Sequence, residues 1–162
     1  MWSSNRRLLL LAPLALVACG FAPAYGPEGS AAGLQGAVRL AEPADKLGFD
    51  LVERLEQRLG RQATPRFALA YDIATDPVGV GITTTGAITR YNLVGSVAYT
   101  LTDLGTGAVL SSGTVDSFTS YSATGSTVAG LEAEDDARTR LMRLLADQIV
   151  ARLVASSADW LQ

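Results

Sequence analysis

Three long segments in which apolar and small polar residues alternate constrain the fold of this chain more than any other feature. They cover residues 66–83, 91–102 and 108–121, and short turn signals separate them. A period of two places successive side chains on opposite faces of an extended strand. We therefore predict three long β-strands joined by hairpins, with residues 103–107 as the second hairpin loop.

Two of these strands contain a predicted irregularity. Pro77 lacks a backbone N–H, so we expect a break in the first strand near Asp76 and Pro77. In the third strand Val109 and Val115 share one parity, whereas Leu110 and Phe118 take the other, although all four are apolar. A β-bulge near Ser112 and Gly113 would reconcile the two parities.

Two segments instead have apolar residues at four-residue spacing, which predicts amphipathic helices over residues 44–59 and 131–155. The first ladder is Leu47, Leu51, Leu55 and Leu59, and the second is Ala137, Leu141, Leu145, Ile149 and Leu153. A short strand over residues 37–40 precedes the first helix. The element order is therefore β-α-β-β-β-α.

This order predicts an α+β fold that forms a two-layer sandwich. A helical crossover between neighbouring strands makes them parallel, whereas hairpins make the remaining strands antiparallel. We expect a four-stranded, mostly antiparallel mixed sheet with both helices on one face, formed by a single domain over residues 37–156.

The N-terminus has the features of an export signal. Arg6 and Arg7 precede an apolar run over residues 8–17, and the small residue Ala18 precedes Cys19, the single cysteine of the chain. This pattern is typical of a secretory signal, and residues 16–19 resemble the lipobox of bacterial lipoproteins. The resemblance implies a signal peptide over residues 1–18 and an acylated Cys19; the alternative is an uncleaved signal with an incidental cysteine. Residues 19–36 are then a flexible tether, and residues 157–162 a C-terminal tail.

Composition excludes several functional classes. The chain has no His, one Cys and a formal net charge of −3. It therefore has no imidazole base, no internal disulfide and no His-ligated metal site, and it lacks the basic balance that nucleic-acid binding requires. An enzyme would depend on carboxylates, but the densest group, residues 134–136, lies at a helix start where the helix dipole explains it. We expect neither catalysis nor a metal or cofactor.

The sheet face that the helices leave uncovered is the most informative feature for function. Between Pro77 and Leu131 only three residues are charged, Arg90, Asp103 and Asp116, and Thr, Ser and Gly are abundant. A sheet exposed to solvent commonly carries Lys and Glu. The pattern favours close contact with a partner's β-barrel lumen or a sugar-rich ligand. The alternative is a compositional bias of a GC-rich genome.

The chain as a whole resembles the LPS-assembly lipoprotein family LptE. The resemblance covers almost the entire mature chain, and it depends on the order and spacing of several short motifs. These are Cys19-Gly20-Phe21-x-Pro23-x-Tyr25, Leu51-Val52-Glu53-x-Leu55, Arg90-Tyr91-x-Leu93 preceded by the 85–89 turn region, Tyr99-x-Leu101-x-Asp103, Ser120-Tyr121-x-Ala123, Glu134-x-Asp136-Ala137, Leu144-Leu145-Ala146-Asp147-x-Ile149 and Leu153.

The resemblance implies a non-enzymatic lipoprotein anchored on the periplasmic side of the Gram-negative outer membrane. Members plug the LptD β-barrel, help it assemble and contact lipopolysaccharide. The competing interpretation is another outer-membrane lipoprotein that acts as an auxiliary or pilot subunit of a different transport or secretion complex.

Arg90, with Thr85 and Thr89 beside it, is the candidate site for a lipopolysaccharide phosphate. A guanidinium among hydroxyl groups can form charge-assisted hydrogen bonds to phosphate oxygens. The alternative is that Arg90 pairs with Asp76 or with a carboxylate of the partner barrel. Family members that bind lipopolysaccharide are expected to present several cations, whereas this sheet offers Arg90 alone, so the resemblance supports the barrel-plug role more strongly than ligand binding.

Overall fold

The computed structural model describes Gly26, Gly29 and residues 31–123 and 127–161, so the predicted signal peptide and Cys19 lie outside the described residues. The strands are β1 (Val38–Leu40), β2 (Phe67–Ile82), β3 (Ile88–Asp103) and β4 (Val109–Ser122), and the helices are α1 (Lys46–Leu59) and α2 (Thr127–Ser156). Short 3-10 turns cover Ala32–Leu34 and Ser157–Asp159.

The four strands form one sheet in the order β1-β2-β3-β4. β1 pairs with β2 in parallel, and the other two pairs are antiparallel. The core joins the leucine ladders of α1 and α2 to one set of alternating strand residues, so both helices lie on the same face of the sheet. The predicted α+β two-layer sandwich is confirmed.

Alternation of side chains along β3 builds the centre of the core. Leu93, Val97 and Leu101 are buried beneath α2, and their neighbours point to the opposite face. Between them, Gly95 allows close approach of the helix. A Cβ at Gly95 would lie 2.7 Å from Leu141 Cδ2 and 3.3 Å from Leu145 Cδ1.

Pro77 does not break β2, contrary to the prediction from sequence. Phe67 donates its N–H to Ala37, and the Leu69 carbonyl accepts from Ala41, so these odd-numbered residues direct their backbone groups toward the β1 side. Pro77 has the same parity and lies beyond the end of β1, so its missing N–H removes no hydrogen bond to β3. The irregularity of β2 lies further on, between Gly79 and Ile82.

The bulge of β4 is real, but it lies nearer the hairpin than predicted. Leu101 pairs with Ser111 and Thr102 with Val109, which leaves Leu110 as the extra residue. The register shift therefore occurs before Ser112 and Gly113. Beyond the shift, Val115 is buried against the helices and Phe118 points to the other face.

Described residues on both sides of the predicted domain pack against its core. Leu34 and Ser157 are fully buried. The Trp160 ring meets Phe67 edge-on, with the ring centroids 5.4 Å apart, and Leu161 contacts Gly33. Leu59 of α1 and Leu153 of α2 belong to the same core cluster as Phe67, and the flanking residues complete the core at this end of the sheet.

The β3–β4 hairpin is stabilised by one carboxylate. Asp103 Oδ1 accepts hydrogen bonds from the N–H groups of Gly105 and Thr106, each at 2.8 Å. The N–H of Thr106, then that of Gly105, the Thr106 hydroxyl and the charge of Arg66 lower the pKa of Asp103.

A pKa lowered by folding means that the ionised carboxylate stabilises the native state above its unfolded pKa of about 3.9. We expect the Tm of the wild-type protein to exceed that of an Asp103→Asn variant at pH 7, and the difference to shrink as the pH falls below about 4. Thermal unfolding of both proteins across this pH range measures the effect. A difference that is constant with pH would contradict the assignment.

Candidate functional site

The face of the sheet opposite the helices is the candidate functional site, and we call it the outer face. Three long strands contribute to it, each through alternate residues, and the register aligns these in cross-strand rows. Its residues are Ala68, Ala70, Asp72, Ala74, Asp76 and Val78 of β2, Arg90, Asn92, Val94, Ser96, Ala98, Thr100 and Thr102 of β3, and Ser112, Thr114, Asp116, Phe118, Ser120 and Ser122 of β4.

An apolar pair lies on the outer face. Val94 and Phe118 are direct cross-strand partners, and they are 42% and 61% exposed. Val78, in the next row, is also exposed. Exposed aromatic and branched side chains grouped on a sheet are a feature of protein contact surfaces.

The charges of the outer face are unevenly distributed. Asp72, Asp76 and Asp116 lie in neighbouring rows opposite Ala98, Val94 and Ser96. Asp72 and Asp76 precede Pro77 in the chain, so they lie outside the segment of few charges between Pro77 and Leu131. Arg90 lies four residues along β3 from Val94, about 13 Å at the usual rise per residue.

Arg90 and Thr89 are brought together beside an open depression near the β2–β3 turn. Its volume is about 420 Å³, and it is lined by Val80, Gly81, Thr89, Arg90 and Ser122. Arg90 is exposed. Within residues 31–123 and 127–161, it makes no ion pair with Asp76 or with any other acid.

Thr85, the third predicted site residue, does not line this depression. It belongs to the exposed turn between β2 and β3, where its hydroxyl hydrogen-bonds the Thr83 hydroxyl at 2.9 Å. The three residues are close in sequence, but only Thr89 and Arg90 line the depression.

Two polar residues next to Arg90 on the outer face, Asn92 and Ser120, are not among the site residues predicted from the sequence. Asn92 Oδ1 accepts a hydrogen bond of 2.7 Å from the Ser120 hydroxyl, and these residues occupy the row adjacent to Arg90 and Ser122. The two-residue period is enough to identify Asn92 as a neighbour of Arg90 on the same face. Identifying Ser120 as a neighbour requires knowing how β4 aligns with β3.

Two observations concern other kinds of site. The described part of the chain contains no group of three or more His, Cys, Asp or Glu residues arranged to hold a metal ion. In the same part, no helix has both the length and the apolar character needed to cross a bilayer.

Comparison with known proteins places these observations in a family context. The sequence-family model described as "LptE: Lipopolysaccharide-assembly" matches residues 36–153. No curated protein matches the chain in sequence.

Several solved structures share the fold. A putative lipoprotein from Caulobacter crescentus has a TM-score of 0.67 at 21% identity, covering 80% of this chain and 96% of that one. The rare lipoprotein B of Shewanella oneidensis has a TM-score of 0.58 at 14% identity, covering 78% and 98% of the two chains. A minor lipoprotein of Acinetobacter baumannii has a TM-score of 0.54 at 19% identity, covering 73% and 88%.

Proposed function

Because the chain belongs to the LptE family of lipopolysaccharide-assembly lipoproteins, we propose that it plugs and helps assemble an LptD-type β-barrel in the outer membrane. We propose further that acyl chains on Cys19 anchor it on the periplasmic side. In this role the protein is a structural subunit of a transport machine, without catalytic activity of its own.

The observation that carries the proposal is the outer face itself. It is built from three long strands, it has no cover from the described residues, and most of its side chains are small or hydroxylated. Short hydroxyl side chains can hydrogen-bond the polar lining of a barrel lumen without leaving unpaired charge buried between the two proteins. The exposed pair Val94 and Phe118 supplies an apolar contact at its centre.

The direction of the strands supports an orientation for the bound protein. β1 begins beside Phe67, at the end of the sheet opposite the β2–β3 turn. The tether to Cys19 therefore joins the domain at the Phe67 end. In β3, Asp103 is the residue that pairs with Phe67, and Arg90 lies about 40 Å from Asp103 along the strand. The membrane anchor and Arg90 therefore lie at opposite ends of the domain.

Copurification tests the barrel-plug role. The full chain is expressed with an affinity tag in its own outer membrane, extracted in mild detergent and captured, and its partners are identified by mass spectrometry. An LptD-type barrel in stable stoichiometric complex is the expected result. A reproducible complex with a secretin or another transporter instead would favour the auxiliary or pilot role.

Direct contact with lipopolysaccharide is proposed at Arg90 and Thr89. The three aspartates at the middle of the outer face would repel phosphate, whereas Arg90 stands apart from them near the turn. This separation supports assigning an anionic ligand to the Arg90 end alone. Thr85, in the adjacent turn, belongs to the site predicted from sequence, but it does not line the depression beside Arg90.

We expect Arg90→Ala to weaken lipopolysaccharide binding by about three- to tenfold, because a charge-assisted hydrogen bond at an exposed position is lost. Binding of purified full-length protein to purified lipopolysaccharide provides the measurement. The control is Arg143→Ala, which removes the same charge from an exposed position on α2. Equal affinity of the Arg90 variant and wild type would exclude Arg90 from the ligand site.

A further inference from the structure

The free edge of β4 is the feature from which we draw a further inference. β4 is the last strand of the sheet and has 14 residues, so every second residue directs an N–H and a C=O away from β3. Such a row of backbone groups is a template for pairing with another strand.

Long side chains of α2 cover this edge. Arg152 Nη1 donates to the Thr114 carbonyl at 2.7 Å, and Gln148 Nε2 donates to the Asp116 carbonyl at 3.2 Å. Arg140 Nη2 donates to the Ser120 carbonyl at 3.4 Å. All three acceptors are even-numbered, as expected for the carbonyls that point away from β3.

The spacing of donors and acceptors agrees with the geometry of a helix antiparallel to a strand. Four helical residues advance about 6 Å, and two strand residues advance about 6.6 Å. A step of four along α2 therefore corresponds to a step of two along β4, which matches Gln148 and Arg152 to Asp116 and Thr114. The same step pairs residue 144 with Phe118.

The row of α2 donors along the β4 edge is interrupted at Phe118. Residue 144 is a leucine, which has no hydrogen-bond donor and is 45% exposed. Among the described residues, no side chain donates to the Phe118 carbonyl. The donor row therefore covers three of the four outward carbonyls between Thr114 and Ser120.

The opposite edge of the sheet is interrupted in a different way. β1 pairs with Phe67–Leu69, and beyond it the odd-numbered residues from Tyr71 to Pro77 direct their backbone groups outward, although Pro77 has no N–H to offer. A bulge at Gly79–Gly81 follows. Prolines and bulges are recognised ways of preventing strand addition at an edge.

We infer that Arg140, Gln148 and Arg152 close the β4 edge against pairing with a second copy of this chain. When this edge is open, β4 is suited to pair with β4 of a second copy. In an antiparallel pair centred on Ser117, Thr114 faces Ser120 and Asp116 faces Phe118, so no like charges lie directly opposite each other. The inference does not depend on the barrel-plug role.

The test is the oligomeric state of an Arg140→Met/Arg152→Met variant. Methionine retains an apolar stem over the edge but removes the donors and charges. Sedimentation velocity of the full-length protein in detergent is expected to show a monomeric wild type and a self-association constant at least about tenfold higher for the variant. The control, Arg61→Met/Arg143→Met, loses the same charge at exposed positions away from the edge and should remain monomeric.

Two further variants keep the inference testable if the double variant unfolds. Arg152→Met alone removes the shortest of the three hydrogen bonds and should show a smaller shift in the same direction. Leu144→Gln, added to the double variant, supplies a donor at the uncovered position and should reverse part of the association. A folded Arg140→Met/Arg152→Met protein, or a folded Arg152→Met protein, that stays as monomeric as its control would overturn the inference.

Discussion

A Gly95→Ala variant is expected to lose about 1–3 kcal/mol of unfolding free energy, although it adds a single methyl group. Gly95 is buried at the centre of β3. Its new Cβ would lie 2.7 Å from Leu141 Cδ2 and 3.2 Å from Leu141 Cγ. Leu141 and Leu145 are themselves fully buried, so their side chains must repack among close neighbours to accommodate the added methyl group.

The matched control is Gly130→Ala on α2. A Cβ at Gly130 meets no atom of the described residues within 4 Å. Replacing glycine by alanine in a helix stabilises it by about 0.5–1 kcal/mol, so the two variants should shift the denaturation midpoint in opposite directions. Urea unfolding followed by circular dichroism measures both. A Gly95→Ala protein as stable as wild type would contradict the close packing of α2 on β3.

A Phe118→Ala variant is expected to weaken the complex with the partner barrel by about 2 kcal/mol, which is about 30-fold in Kd. This prediction depends on the proposed function. Phe118 is the largest apolar side chain of the outer face, it is 61% exposed, and it lies against Val94 across the strand pair. An exposed aromatic ring at the centre of a contact surface contributes through the apolar area that the partner covers.

Phe49→Ala provides an internal comparison, because Phe49 on α1 has the same 61% exposure but lies in the helical layer. Both substitutions should change the free energy of unfolding by no more than about 0.5 kcal/mol, as expected for exposed positions. The measurement is the fraction of the partner barrel that copurifies with each variant when the variants compete for the same barrel. Equal loss in both variants, or loss in the Phe49 variant alone, would show that the outer face is not the contact surface.

Local periodicity was sufficient to predict the secondary structure and the layer arrangement. The two-residue period over β3 places Leu93, Val97 and Leu101 on one face of the strand, and the structure buries all three. The four-residue ladders of α1 and α2 were equally clear, because each pattern reflects only which side of its own element faces the core. The boundaries were less accurate: α2 begins at Thr127, four residues before the predicted start.

The candidate site was only partly predictable. Proximity in sequence groups Thr85 with Thr89 and Arg90, but only Thr89 and Arg90 line the depression. The predicted alternative partner of Arg90, Asp76, is four residues from it in register. Distances of this kind depend on how two strands align, which the period of either strand does not specify.

The sequence by itself therefore determined the α+β class, the element order and the existence of an uncovered face with few charges, because these follow from patterns within single segments. Only the tertiary structure decided that Phe118 points outward, since the bulge at Leu110 shifts the parity of β4. It also decided that α2 covers the β4 edge, through a hydrogen bond between Arg152 and Thr114, 38 residues apart. Contacts between distant segments depend on the register and packing of several elements at once, and no local pattern records them.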